Sequence, residues 1–249
     1  MATSSPCRWS VVIPAFDEAA RLPAYLRDVV GYFDGRGEPY EVIVVDDGSA
    51  DATSLKVRQI EAAHPSVRLT RFEHNHGKGY AVKAGMAMAR GALCLMTDAD
   101  GATPIAEVKR LEAAIERGAD LAVGSRTLRD GSVARRVRPH RQLVGTVFNL
   151  VVRTLGVWNV TDTQCGFKLF RGEVAHALFP MLATEGFGFD VELLLLAQRR
   201  GYRIVEVPIS WTDQPGSRVS VLKEGPRMLA QVIAARLRLG FGRGMGRTP

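Results

Sequence analysis

Short β-branched runs alternating with helical patterns constrain this chain more than any other feature. The runs "WSVVIP" (9–14), "EVIVV" (41–45), "VRLTRF" (67–72), "ALCLMT" (92–97) and "DLAVGS" (120–125) are strand-like. Helical patterns fill the gaps, over about 18–33, 51–63, 77–90 and 104–117. Strand, helix, strand at this spacing predicts βαβ units, and so an α/β fold whose mostly parallel sheet carries helices on both faces. A helix over 188–200, a strand over 202–211 and a basic amphipathic helix over 222–239 are expected to complete it. The 249 residues fit a single domain over 1–240 with a flexible tail at 241–249.

In such sheets ligands bind beyond the carboxyl ends of the strands. Four polar clusters fall there: "PAFDE" (14–18), "DDGSAD" (46–51), "EHNHGKG" (73–79) and "DADG" (98–101), one after each of the first four strands. Asp, Asn, Gly and Pro are ordinary turn residues, so any one cluster alone reads as a loop. Four on one edge read as a site.

Asp98 and Asp100 suit chelation. Two carboxylates one residue apart, at the end of a buried run, repel each other until a hard cation such as Mg2+ or Mn2+ sits between them. Such a cation would fill its remaining positions with phosphate oxygens. The competing reading makes Asp100 a turn residue and Asp98 a cap. Asp46 and Asp47 are placed to accept from a base N–H or from ribose hydroxyls, and Asp51 to cap the following helix. Pro14 to Glu18 form the opposite wall, with Phe16 to flank a base. Gly77 and Gly79 allow close backbone approach, and Lys78 meets a phosphate. No G-x-x-x-x-G-K-[ST] occurs and no G-x-G-x-x-G follows the first strand, so neither a Walker A loop nor an NAD site is expected. These residues together describe a nucleoside diphosphate held through a metal, the donor half of a sugar-transfer site.

The second half breaks the rhythm. Residues 126–141 carry six arginines against one aspartate, and 142–158 are apolar over most of their length, interrupted by Arg153. Arginine's planar fork suits phosphate, so the expectation is an anionic acceptor with an apolar tail. The alternative is a solvated basic loop beside a buried core helix. Residues 142–158 are too short and interrupted to span a bilayer, but suit its interface. A formal net charge of +7 agrees with an anionic partner. Nucleic acid is not expected: aromatic residues are only 7%, without basic interleaving, and it would leave the four acidic clusters unexplained. Cys7, Cys94 and Cys165 lie far apart without metal-ligand spacing, which points to a reducing compartment and no structural zinc. Neither a signal peptide nor a spanning helix is expected.

The strings "VVIPAFDEAARLP", "YEVIVVDDGSADAT", "NHGKGYAVKAGM", "TDADGAT" and "VGSR" together resemble family 2 glycosyltransferases of the GT-A fold. More narrowly, "DTQCGFKLF" (162–170), "FDVELL" (189–194) and "EVPISWTDQPGSRVS" (206–220) resemble dolichyl-phosphate β-glucosyltransferases. The likeness runs in order from about residue 9 to 240. It implies metal-dependent, inverting transfer of glucose from UDP-glucose to a polyprenyl (dolichyl-type) phosphate. It implies a nucleotide-sugar half at about 9–125 and an acceptor- and membrane-facing half at about 126–240.

The resemblance also implies roles. Asp46, with Pro14 to Glu18, would hold the uridine, and Asp98 and Asp100 the metal and diphosphate. Arg126, Arg136 and Arg141 would grip the acceptor phosphate, and Asp162 and Gln164 would line the sugar and acceptor region. Asp190 and Glu192 stand two apart on a helix and do not share a face, so one of them is expected to be structural. No counterpart of the eukaryotic enzymes' N-terminal anchor is expected, which leaves a peripheral protein at the cytoplasmic face of a membrane, bound through interfacial helices. The Q-x-x-R-W motif of processive synthases is missing, so polymerisation is not expected. GDP-mannose as donor, and a hydroxyl group as acceptor, remain the alternatives.

Overall fold

A parallel strand covered on both faces is apolar along most of its length. β1 (Trp9–Ala15) is such a strand, with all seven residues buried. In the computed structural model, which describes residues 7–128, 130–131, 133–136, 160–214 and 221–240, it lies near the middle of a seven-stranded sheet. β2 (Tyr40–Asp46) and β4 (Leu93–Met96) flank it in parallel, and β3 (Val67–Arg71) pairs with β2. β5 (Leu121–Ser125), β7 (Lys168–Arg171) and β8 (Ile204–Pro208) complete the order β3-β2-β1-β4-β7-β5-β8.

β7 is the departure from the parallel pattern. It enters between β4 and β5, antiparallel to both, with Lys168 opposite Met96 and Val123. The sequence reading has no strand here. "KLFR" is four residues long and opens on a lysine, which reads as solvent-facing, whereas Lys168 is wholly buried.

Side chains alternate across a strand, so each strand feeds two cores. Val11 and Ile13 join one apolar cluster with α1 (Leu22–Arg36), α2 (Thr53–Ala63) and α4 (Val108–Glu116). Val12 joins the other, with α3 (Lys78–Met88), α5 (Gly172–Leu178), α6 (Phe189–Arg199) and α7 (Val221–Leu239). α1 starts at Leu22 rather than near 18 because the residues before it belong to a turn, and Pro23 sits in the first helical turn, where a missing N–H costs nothing.

A second, two-stranded sheet reaches over the ligand edge. β6 (Arg135–Arg136) pairs with β9 (Trp211–Thr212), and the Thr212 N–H donates to the Ala102 carbonyl at 2.9 Å. The backbone of Arg135 and Arg136 is thereby brought beside the loop that holds Asp98 and Asp100. No described helix is long and apolar enough to cross a membrane.

Candidate active site

β4 is buried throughout, and the chain leaves it at Thr97, whose hydroxyl meets that of Tyr25 at 2.7 Å. The next turn carries the two acids. Lys78 Nζ, at the start of α3, lies 2.6 Å from Asp98 Oδ1. Asp100 Oδ1 accepts the Ala102 N–H at 3.0 Å, and its Oδ2 stands 3.8 Å from Arg21 Nη1. Both side chains keep a solvent face, 42% for Asp98 and 26% for Asp100.

The two carboxyls are driven apart electrostatically. Burial pushes Asp98 up, but the Lys78 ammonium, then Arg126 and Lys168, outweigh it and hold the carboxyl below the usual range. Burial and the neighbouring Asp98 charge both push Asp100 up. Arg21 and Lys78 offset this push only in part, and the remaining repulsion is the condition that an added cation removes. Gly166 lies under Asp98: a Cβ there would overlap the whole carboxylate.

The segment expected to wall the base, Pro14 to Glu18, is closely stitched to the loop after β2. Pro14 is buried within β1, and Phe16, just beyond, is exposed. Asp17 takes a left-handed conformation, φ 53°, and its Oδ1 accepts the N–H groups of Ala50 and Asp51 at 2.8 and 3.2 Å. The Asp17 and Glu18 N–H groups donate to Ser49 Oγ and Thr53 Oγ1, both at 2.8 Å. Glu18 takes the Arg21 guanidinium through two bonds, the Nε one at 2.7 Å, so Arg21 bridges Glu18 and Asp100.

Asp46 and Asp47, expected at the uridine, have their carboxylates on loop hydrogen-bond donors. Asp46 has no exposed surface and accepts the Ser49 N–H at 2.9 Å and the Ser54 hydroxyl. Asp47 accepts the N–H groups of His76 and Gly77 at 2.9 and 2.8 Å. Asp51, expected to cap α2, accepts the Thr53 N–H at 2.9 Å.

Arg126 follows β5 and is gripped by Asp162: Nε to Oδ2 at 2.8 Å, Nη2 to Oδ1 at 2.7 Å, and its own backbone N–H to Oδ2 at 2.8 Å. Asp162 is 1% exposed and held low by this guanidinium, which overcomes the upward push of burial. Glu206 of β8 fixes it in turn, accepting the N–H groups of Thr161 and Asp162 at 2.9 Å each. The Arg126 guanidinium lies 5.6 Å from the Trp211 ring centre. Arg126, Trp211, Asp98, Asp100 and Gly166 line one pocket.

The remaining expectations fall elsewhere. Gln164 turns toward Met228 of α7. Arg136 lies in β6, beside the pocket edge in backbone position. Arg141 and the segment 142–158 lie outside the described residues. Of Asp190 and Glu192, both are buried and both are paired: Asp190 with Lys168, Glu192 with Arg238 Nη2 at 3.0 Å. Sequence reasoning missed Arg21, Gly166 and Trp211. All three lie inside strings that carry the resemblance, Arg21 in "VVIPAFDEAARLP", Gly166 in "DTQCGFKLF" and Trp211 in "EVPISWTDQPGSRVS", but nothing in the spacing set them apart from their neighbours.

Residues 10–179 match the family described as Glycosyl transferase family 2. The chain belongs to that family. Among its relatives is the dolichyl-phosphate beta-glucosyltransferase of Dictyostelium discoideum, 38% identical over 246 residues, covering 94% of this chain and 75% of that one. The Homo sapiens protein of the same name is 37% identical over 243 residues, covering 92% and 75%. In three dimensions the family 2 chain is similar to glucosyl-3-phosphoglycerate synthase from Mycobacterium tuberculosis, crystallised with Mn2+, UDP-glucose and phosphoglyceric acid. The TM-score is 0.71 at 22% identity, covering 94% of this chain and 79% of that one. At that identity the likeness speaks for the fold alone. It agrees with a GT-A arrangement: a mixed, mostly parallel sheet with helices on both faces.

Proposed function

We propose that this glycosyltransferase moves glucose from UDP-glucose to a polyprenyl, dolichyl-type phosphate, with inversion, giving a polyprenyl β-glucosyl phosphate. One observation carries the reading: a guanidinium aimed by a buried carboxylate, Arg126 on Asp162, shares a pocket with the Asp98–Asp100 pair. On this reading the acid pair faces a metal-bound diphosphate and the guanidinium faces a second phosphate. The names of the relatives supply the sugar and the lipid.

Asp98 and Asp100 fit a divalent cation, Mg2+ or Mn2+. They are all-oxygen donors, and the charge pushing Asp100 up is what a hard cation would neutralise. Among the described residues no group of three or more metal-binding side chains exists, so the diphosphate would complete the site. A bound cation would supply charge neutralisation for the departing UDP.

The chain's own residues do the rest. A phosphate monoester is largely dianionic at neutral pH, on the analogy of phosphorylated side chains, and needs no general base. Arg126 orients it in line with the anomeric carbon. Its oxygen forms the new bond as the bond to UDP breaks, and UDP leaves with the electron pair. Lys78, against Asp98, adds positive charge on the leaving side. Asp46 and Asp47 shape the loops around the uridine, and Phe16 flanks the base.

A peripheral position at the cytoplasmic face of a membrane belongs to the same reading. α7 exposes Ile233 and Leu237, 42% and 65%, on one face, with the exposed Arg227 on the same helix. A net charge of +7 suits an anionic leaflet.

The test is product formation from polyprenyl phosphate, with UDP-glucose and GDP-mannose side by side, with and without Mg2+ or Mn2+. Metal-dependent glucosyl lipid is expected. Mannosyl lipid would keep the site and overturn the sugar; no lipid product from either donor would send the search to hydroxyl acceptors.

A further inference from the structure

Two glycines flank Lys78, and what presses on them is protein. A Cβ on Gly77, whose φ is +107°, would stand 2.6 Å from the Glu185 carbonyl oxygen. One on Gly79 would stand 2.5 Å from that of Thr184. The Tyr80 N–H, a helix-start donor without an intrahelical partner, donates to Glu185 O at 3.1 Å. The end of α3 that brings Lys78 to Asp98 is therefore seated on the segment 183–188.

That segment is held from behind. The N–H groups of Thr184 and Ala183 donate to Glu192 Oε2 at 2.8 and 3.3 Å, and Glu192 is only 2% exposed. Arg238 Nη2 donates to Glu192 Oε1 at 3.0 Å and to Thr184 Oγ1 at 3.2 Å. The Gly188 N–H donates to Gln231 Oε1 at 3.0 Å. Arg238 and Gln231 both belong to α7, the helix with the exposed apolar face.

We infer that Arg238 is a positioning residue for the donor site: through Glu192 and Thr184 it fixes the 183–188 segment, and through that segment it fixes Lys78 against Asp98. Arg238 itself touches no reacting group. The inference rests on the reading of Lys78 and Asp98 as the diphosphate pole.

UDP affinity in the presence of Mn2+, measured by calorimetry, separates the two. Wild-type protein that fails to bind UDP overturns the donor-site reading and this inference with it. If wild type binds, Arg238→Ala is expected to weaken UDP roughly fivefold or more, and Arg238→Lys to restore most of it. The decisive comparison is made in a Lys78→Ala background. There Arg238→Ala is expected to cost less than about twofold, because residues acting through one another are not additive. Unchanged affinity in Arg238→Ala overturns the inference. So does an equal loss in both backgrounds, or a loss of vesicle binding with UDP affinity intact. The Arg238 side chain is 47% exposed, so the alanine variant is expected to melt cooperatively, and the lysine variant tests positioning if it does not.

Discussion

The carboxylate of Asp98 occupies the space that a side chain on Gly166 would need. The first acid of the D-x-D turn and the glycine of "DTQCGFKLF" are thus two halves of one feature. Lys168 fixes the glycine's side, its Nζ donating to the Cys165 carbonyl at 2.6 Å. Gly166→Ala is expected to move Asp98 off Lys78 and lower turnover about 100-fold, the usual cost of an ångström of misplacement. Turnover assays beside a thermal melt check this. Near-normal rates would show that Asp98 has freedom to move.

Asp100 tests the metal. Asp100→Asn is expected to abolish metal-dependent transfer while the fold stays intact. The carboxyl is pushed up by burial and by Asp98, and an acid whose folded pKa exceeds its unfolded one destabilises the fold when ionised. At neutral pH the Asn variant should therefore melt no lower than wild type. Retained turnover would remove the case for a cation at this pair.

The readable parts of this molecule are those with a period. Five strands and their helices follow from runs such as "VVI" and "VIVV", and the D-x-D stands out because it ends one of them. β7 was not readable: an antiparallel insertion of four residues has no room for a period, and its buried lysine mimics a surface position. Asp46 and Asp47 show another limit. A strand-end aspartate has the same signature whether it faces a ligand or, as here, gathers N–H groups from the next loop. Arg21, lodged between Glu18 and Asp100, depends on a tertiary approach that no spacing encodes.

Arg126 is expected to serve the acceptor more than the donor. Arg126→Lys keeps the charge but loses the fork that Asp162 grips through Nε and Nη2. The acceptor KM should rise about tenfold, near the low end for one charge-assisted hydrogen bond, with UDP affinity changed by less than about threefold. Steady-state kinetics with each substrate varied in turn measures both. Equal losses for donor and acceptor would move Arg126 out of the acceptor pole.

Asp162 gives the protein an acid limb. Its carboxyl is buried, and Arg126 holds it below the usual 3.8. For a depressed acid the stabilisation is complete above the unfolded value and is lost as pH falls through the folded one. Asp162→Asn leaves the Arg126 charge without its counterion, and is expected to cost about 3 kcal/mol at neutral pH. Below about pH 4 the wild type begins to lose its advantage while the Asn variant has none to lose, so the gap between the two should narrow steadily with falling pH. Urea melts from about pH 7 to pH 3 would show it, and a gap that stays constant over that range would mean that the Asp162–Arg126 pair is not what the carboxyl's ionisation stabilises.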